Sequence, residues 1–299
     1  MSGAPEGWSG PETVTNGVIY VATGERHVAE ALVSARSLRT HMPDLPVTLY
    51  TDRTLAAAEV DDVVAFAGDG YLSRIPILEA SPYERTLFLD SDTYVCGDLA
   101  GLFALLDQFD IALAHAPIRA MYEVEGVPDS FPEFNAGVIL FRRSEEVKAA
   151  LRDWAERLAQ IQEQRDRDEL RWLRPEGKRI DMIDQGPLRA ALYRSRLRIA
   201  TLPPEYNCRF TQPGFVDGPV RILHGRGVDL GEVAVALNAS TARRGYEERG
   251  GRLKVRHYPE ANSHTYSLEN IRCTLHRRGS RWTSEAAVRR LLGAARSRD

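Results

Sequence analysis

Two carboxylates, Asp90 and Asp92 of Asp90-Ser91-Asp92, follow directly on the apolar run Leu87-Phe88-Leu89. Side chains alternate sides along a strand, so acids two apart can point together where the strand runs out. Two like charges on one side repel, and they are costly near a core unless a cation stands between them. Mg2+ or Mn2+ supplies such a cation, since it prefers carboxylate oxygens and is commonly shared with substrate phosphates. Parallel-sheet enzymes also hold ligands at the carboxyl ends of strands, where this pair lies. These three residues alone leave open a pair of loop acids capping the next helix.

Three other groups carry chemistry. Asn135-Ala136-Gly137-Val138 puts a side-chain amide and a flexible backbone just before a strand. Asp184-Gln185-Gly186 joins an acid and an amide to a glycine. His224-Gly225-Arg226-Gly227 follows the apolar Val220-Arg221-Ile222-Leu223, so a strand delivers an imidazole and a guanidinium into a glycine-rich turn. Taken singly, Asn135 can brace a turn, Asp184-Gln185 can cap a helix, and His224 can be a hydrogen-bonded structural histidine.

The elements that position these groups follow a strand–helix rhythm. Val18-Ile19-Tyr20-Val21-Ala22 is an apolar run ended by Thr23-Gly24; His27 to Thr40 then has apolar residues near helical spacing, and Pro46 to Asp52 is a second short run. Strand, helix, strand is a βαβ opening, which favours a mostly parallel sheet covered by helices. Further strands are expected at Val63–Phe66, Arg85–Asp90, Ile111–Ala114 and Val138–Phe141, with a helical stretch at Leu72–Ala80. Glu145 to Gln164 is the longest amphipathic helix, with Val147, Leu151, Trp154, Leu158 and Ile161 on one side. Residues 165–180 read as a charged connection or helix extension. We expect a leader at 1–16, one α/β domain at 17–227, and a basic, partly helical extension at 228–299 with a helix at Ser284 to Ala295 capped by Ser284.

Several chemistries lose their signatures. ATGERHVAE after the first strand lacks the G-x-G-x-x-G of dinucleotide folds; no G-x-x-x-x-G-K-[ST] loop and no H-E-x-x-H zinc motif occur.

In order, VIYVATGERHVAEALVSARSL, SPYERTLFLDSDTYV, FNAGVILFRRS, IDQGPL, PPEYN and ILHGRG resemble the GT-A nucleotide-sugar transferases, above all the glycogenin-like family 8 glycosyltransferases and their bacterial relatives. The resemblance covers residues 17–227. It implies a GT-A (Rossmann-like) mixed, mostly parallel sheet flanked by helices, and transfer of a sugar from a nucleotide-diphosphate sugar to a hydroxyl acceptor with retained anomeric configuration. By the same resemblance Asp90, Asp92 and His224 are the metal ligands, and an imidazole in the set shifts the preference toward Mn2+ over Mg2+. Arg226 binds the diphosphate, Arg74, Ser91 and Gly137 lie near the donor, and Asn135, Asp184 and Gln185 meet the donor sugar. Gln185 lies near the anomeric carbon, with Asp184 the nearest carboxylate. Ala22 and Thr23 line the base pocket, with Tyr20 on the strand leading to it.

The sequence departs from the family twice. Thr23-Gly24 stands where the family has an acidic uridine contact, which leaves the donor base open. Gly225-Arg226-Gly227 replaces the lysine–proline–tryptophan ending after the histidine. A metal-dependent sugar-phosphate nucleotidyltransferase is the alternative enzyme, yet Thr23-Gly24-Glu25-Arg26 is a poor version of its triphosphate loop. A catalytically degenerate binding protein is a third reading, against which the complete set of motifs argues.

Composition sets the frame. The chain has 299 residues, 43% hydrophobic and 27% charged, with a net charge of −3, which fits a globular protein and excludes a disordered polymer. No apolar run is long enough for a membrane helix, and the first sixteen residues lack the pattern of a secretory signal. Three widely spaced cysteines, Cys96, Cys208 and Cys273, suit a reducing cytoplasm. Only three of the 39 basic residues are lysine, a bias that reads as compositional habit. Residues 243–299 are net basic and the rest net acidic. That tail is expected either to be solvated or paired within the chain, or to meet an acidic acceptor or membrane surface. Its sparse aromatics argue against stacking on nucleic acid.

Overall fold

In chain order the elements are β1 (Asn16–Ala22), α1 (Gly24–His41), β2 (Val47–Thr51), β3 (Asp62–Ala65), α2 (Arg74–Glu79), β4 (Arg85–Leu89), β5 (Thr93–Val95), α3 (Ala100–Phe103), β6 (Ile111–His115), β7 (Phe134–Arg142), α4 (Glu145–Arg167), α5 (Gln185–Arg194), β8 (Ile199–Leu202), β9 (Gly214–Val216), β10 (Ile222–His224), α6 (Leu230–Asn238), β11 (Arg244–Arg249) and β12 (Arg252–His257). The computed structural model describes residues 16–68, 73–117, 119, 124–167 and 184–257, which fall in one unit ending at His257. Of the leader expected at 1–16, Asn16 opens β1; its other residues, most of the 165–180 connection and the helix at 284–295 lie outside the described residues.

Seven strands form the central sheet in the order β3-β2-β1-β4-β7-β6-β8. All neighbours are parallel except those of β7, which runs against β4 and β6. This is the mostly parallel mixed sheet flanked by helices that the strand–helix rhythm implies. β1, β2 and β4 are mostly apolar and buried along nearly their whole length because both faces of the sheet are covered. One face packs on α1 through Val28, Ala31, Ala35 and Leu38. The other packs on α2, α4 and α5 around the fully buried Trp154.

The order 3-2-1-4 places the site. After building outward from β1 through β2 and β3, the chain returns to the other flank of β1 as β4. The connections leave the sheet in opposite directions there and open a crevice at the carboxyl ends of β1 and β4. Ala22-Thr23 ends one strand and Asp90 the other. β7 starts at this same edge, so Asn135 and Gly137 enter the crevice from the opposite direction.

A small ribbon completes the crevice. β5 pairs antiparallel with β10, setting His224 opposite Thr93. Ser34 and Ser37 look out of place on the buried side of α1, but they hold this ribbon. Tyr20 Oη, Ser34 Oγ and Thr93 Oγ1 form a hydroxyl chain at 2.9 and 2.8 Å, and Val95 N donates to Ser37 Oγ at 2.8 Å. Tyr20 is therefore a core residue, fully buried on its strand.

Of the stretch expected as a basic extension, residues 228–257 form α6 and the β11–β12 hairpin. β11 pairs with β9, and Val233, Leu237 and Tyr246 share a third apolar cluster with Cys208, Phe210 and Leu223. Arg244 is fully buried there and donates to the carbonyls of Leu237, Ala242 and Gly218. Among the described residues no helix is long and apolar enough to cross a membrane.

Candidate active site

The crevice holds a cavity of about 390 Å3. Ala22, Thr23, Arg74, Asp90, Ser91, Asp92, Asn135, Gly137, Asp184, Gln185, His224 and Arg226, drawn from six separate stretches of chain, all line it. His27 and Arg209 line it as well.

At its centre, Asp90, Asp92 and His224 each direct one ligand-type atom into a space where all three lie within 4.8 Å of one another. His224 Nε2 stands 3.4 Å from Asp92 Oδ1 and 3.7 Å from Asp90 Oδ2. Backbone bonds set this geometry: Asp90 N donates to Gly137 O at 2.8 Å, and Gly225 N donates to Asp92 O at 2.9 Å. Two carboxylates and one imidazole are donors that Mn2+ accepts, so the residues fit a divalent ion.

A hydrogen-bond chain assigns the tautomer of His224. Gly137 N–H can only donate, and it donates to Asn135 Oδ1 at 3.1 Å. Asn207 Nδ2 donates to the same oxygen at 2.8 Å, which leaves Asn207 Oδ1 facing His224 Nδ1 at 2.8 Å. Nδ1 therefore carries a proton, and Nε2 is the nitrogen turned toward the two carboxylates. That is how an imidazole is oriented for a metal.

Charge at the site is tightly arranged. Burial pushes the Asp90 carboxyl up, against the opposing pull of Arg74 and His224. For Asp92, burial raises the carboxyl, but the hydrogen bond and charge of His224, with Arg226 and Arg209 nearby, hold it well below the usual range. Arg74, only 4% exposed, bridges Asp90 and Asp184 at 3.3 and 2.6 Å and lies against the rings of Phe88 and Trp154. Trp154 Nε1 donates to Asp184 O at 2.9 Å, fixing the start of α5. Asp184 occupies the cap position of that helix, yet its carboxylate goes to Arg74 rather than to a backbone N–H. Gln185, 1% exposed, accepts from Asn135 Nδ2 at 3.0 Å and donates to Glu133 at 3.4 Å. Neither described cysteine is poised as a nucleophile, since burial pushes the Cys96 and Cys208 thiols up to about 12.

Sequence reasoning passed over Glu30, Glu133, Asn207 and Arg209. Glu30 lies on α1 and receives Arg226 Nε at 3.0 and 3.1 Å. Asn207 belongs to PPEYN, one of the segments that carry the resemblance, but nothing local ties it to His224. Arg209 is one of thirty-six arginines, and only the folded chain turns it into the cavity.

No family model matches the chain, and neither does any curated protein sequence. Among solved structures, it is similar to the glycosyltransferase GlyE of Streptococcus pneumoniae, with 19% identity, a TM-score of 0.47, and 72% of this chain and 55% of that one covered. The chain thus spans just over half the length of GlyE. The galactosyltransferase LgtC, solved with donor and acceptor sugar analogues, is 14% identical with a TM-score of 0.45, covering 71% of this chain and 87% of that one. Mouse xyloside xylosyltransferase 1 is 16% identical with a TM-score of 0.43, covering 71% and 98% of the two chains.

Proposed function

We propose that the protein is a metal-dependent glycosyltransferase that moves a sugar from a nucleotide-diphosphate sugar to a hydroxyl acceptor. The observation that carries this reading is the convergence of Asp90, Asp92 and His224 in a polar cavity at the switch point of the sheet. The chain's resemblance to family 8 enzymes supplies the class of donor and the retained configuration. These three residues would hold Mn2+ or Mg2+. Bound there, the ion supplies charge against the negative charge that builds on a leaving diphosphate.

The remaining residues bind and orient. Ala22 and Thr23 shape the wall for the nucleoside, and Ser91 and the Gly137 backbone border the diphosphate region, with the Arg226–Glu30 pair in the wall beside it. Asn135, Asp184 and Gln185 line the end assigned to the donor sugar. Gln185 enters already locked by Asn135 and Glu133, so its carboxamide presents a fixed dipole and costs little reorganisation. Asp184 is held by Arg74 as a fixed negative neighbour of the sugar. The uncharged Gly137 position keeps the space between His224 and Asp90 open.

The test is a panel of UDP-, GDP- and dTDP-sugars with Mn2+, scored for thermal stabilisation and slow donor hydrolysis. Release of free nucleoside diphosphate supports glycosyl transfer; release of pyrophosphate indicates a nucleotidyltransferase instead. No stabilisation by any sugar nucleotide, with or without metal, or unchanged activity in Asp92→Ala, refutes the reading.

A further inference from the structure

Three guanidinium groups line the cavity, and they differ in what they already hold. Arg74 spans Asp90 and Asp184. Arg226 is engaged at every nitrogen: Nε with both oxygens of Glu30, Nη2 with Ser91 Oγ at 3.5 Å, and Nη1 with Asp92 Oδ2 at 3.7 Å. Arg209 forms no ion pair or side-chain hydrogen bond among the described residues, and its Nε is buried without a hydrogen-bond partner.

The backbone holds Arg209 in place for this. Cys208 bridges to Leu223 next to His224, and the Arg209 carbonyl closes a turn by accepting from Gln212 N at 2.9 Å. That turn presses on Gly225, where an added Cβ would stand 2.8 Å from Thr211 Cγ2 and 2.9 Å from Phe210 Cε1. The turns carrying Arg209 and Arg226 are thus stacked on each other, and both arginines line one cavity.

Charge accounting separates their roles. Glu30 already neutralises Arg226, and an incoming anion would have to break that pair to claim Nε and would meet the Asp92 carboxylate beside Nη1. Arg209 acts on Asp92 only through space, so among the described residues it offers its donors with no ion pair or hydrogen bond to break. A partly desolvated, unpartnered guanidinium is a standing cost that an anionic ligand removes.

Resting on the donor-site reading above, we propose that Arg209, rather than Arg226, is the cation that binds the donor diphosphate, and that Arg226 with Glu30 braces the wall beside it. The probe is inorganic pyrophosphate, which carries neither base nor sugar, titrated calorimetrically into the full chain with and without Mn2+. Arg209→Gln should weaken binding by about tenfold or more, the usual scale for a lost charge-assisted hydrogen bond. Arg209→Lys, keeping the charge but not the fork, should fall between it and the parent chain. Arg226→Gln should change binding by less than about threefold, as expected of a residue that does not touch the anion. Ligand-free melting should be unaltered in Arg209→Lys, which carries the test if Arg209→Gln does not fold. Parent-like binding in both Arg209 variants overturns the proposal, as does a larger loss in Arg226→Gln than in Arg209→Gln. Absence of pyrophosphate binding to the parent chain in either condition overturns the donor-site reading and this inference together.

Discussion

Gly137 faces His224 so closely that a Cβ on residue 137 would stand 2.0 Å from the imidazole Cε1 and 2.7 Å from Asp90 Oδ2. The space between these two residues is therefore a property of the glycine, and it keeps imidazole and carboxylate converged. Gly137→Ala must move either His224 or strand β7. We expect the chain to fold with about 1–3 kcal/mol less stability, the range for forced overpacking. Mn2+ affinity, followed by calorimetry, should fall by about tenfold or more, on the scale of disturbed ligand orientation.

Asn207 sets the imidazole by accepting from Nδ1. Removing that acceptor in Asn207→Ala frees the ring to rotate or change tautomer. Mn2+ affinity should drop by about 10–100-fold, as for other lost partners of metal-binding histidines. Asn207→Asp keeps an acceptor and should retain more affinity than the alanine variant in the same titration.

Arg74 lies between two acids in a largely buried position. Arg74→Met keeps the volume but leaves Asp90 and Asp184 without their bridge. Breaking a buried pair by removing one partner costs about 3–5 kcal/mol, and we expect a loss of that size in urea unfolding. The deficit should shrink in the double variant Arg74→Met/Asp184→Asn, because one stranded charge is then gone.

Asp110 ties β6, β7 and β8 together by accepting from the Arg198 backbone N at 2.7 Å and pairing with Arg198 and Arg142. Burial raises its carboxyl, but the Arg198 hydrogen bonds and the two positive charges prevail and hold it low. A folded value below the unfolded one means that the stabilisation is present above the ordinary carboxylate value of about 3.9 and is lost as pH falls through the folded value. Asp110→Asn should therefore lower the urea midpoint at pH 7. The gap to the parent chain should narrow as pH drops below about 4, where unfolding curves at stepped pH would record it.

Much of the fold could be read along the chain. The strands at 18–22, 47–51, 85–89 and 111–114 are visible because a strand covered on both faces is predominantly apolar. α4 is visible because its buried side repeats at helical spacing. β8, β11 and β12 carry no such signal. β8 is a short edge strand, and β11 and β12 alternate charged residues with few apolar ones, so their pairing, rather than burial, makes them strands. α1 was placed within a few residues, yet its buried serines have meaning only opposite Thr93 and Val95.

The sequence by itself determined which residue types stand near the ends of strands and helices: Asp90, Asp92, Asn135, Gly137, Asp184, Gln185, His224 and Arg226 each sit in a local context that marks them. Tertiary structure alone decided their partners. Glu30 and Arg226 lie 196 residues apart, and Arg74 and Asp184 lie 110 apart. The physical reason is that electrostatic interaction depends on distance and burial, not on order along the chain. Thirty-six arginines look alike in the sequence. Folding makes one a bridge between two acids and one the partner of Glu30, and it leaves Arg209 lining the cavity with its Nε without a hydrogen-bond partner.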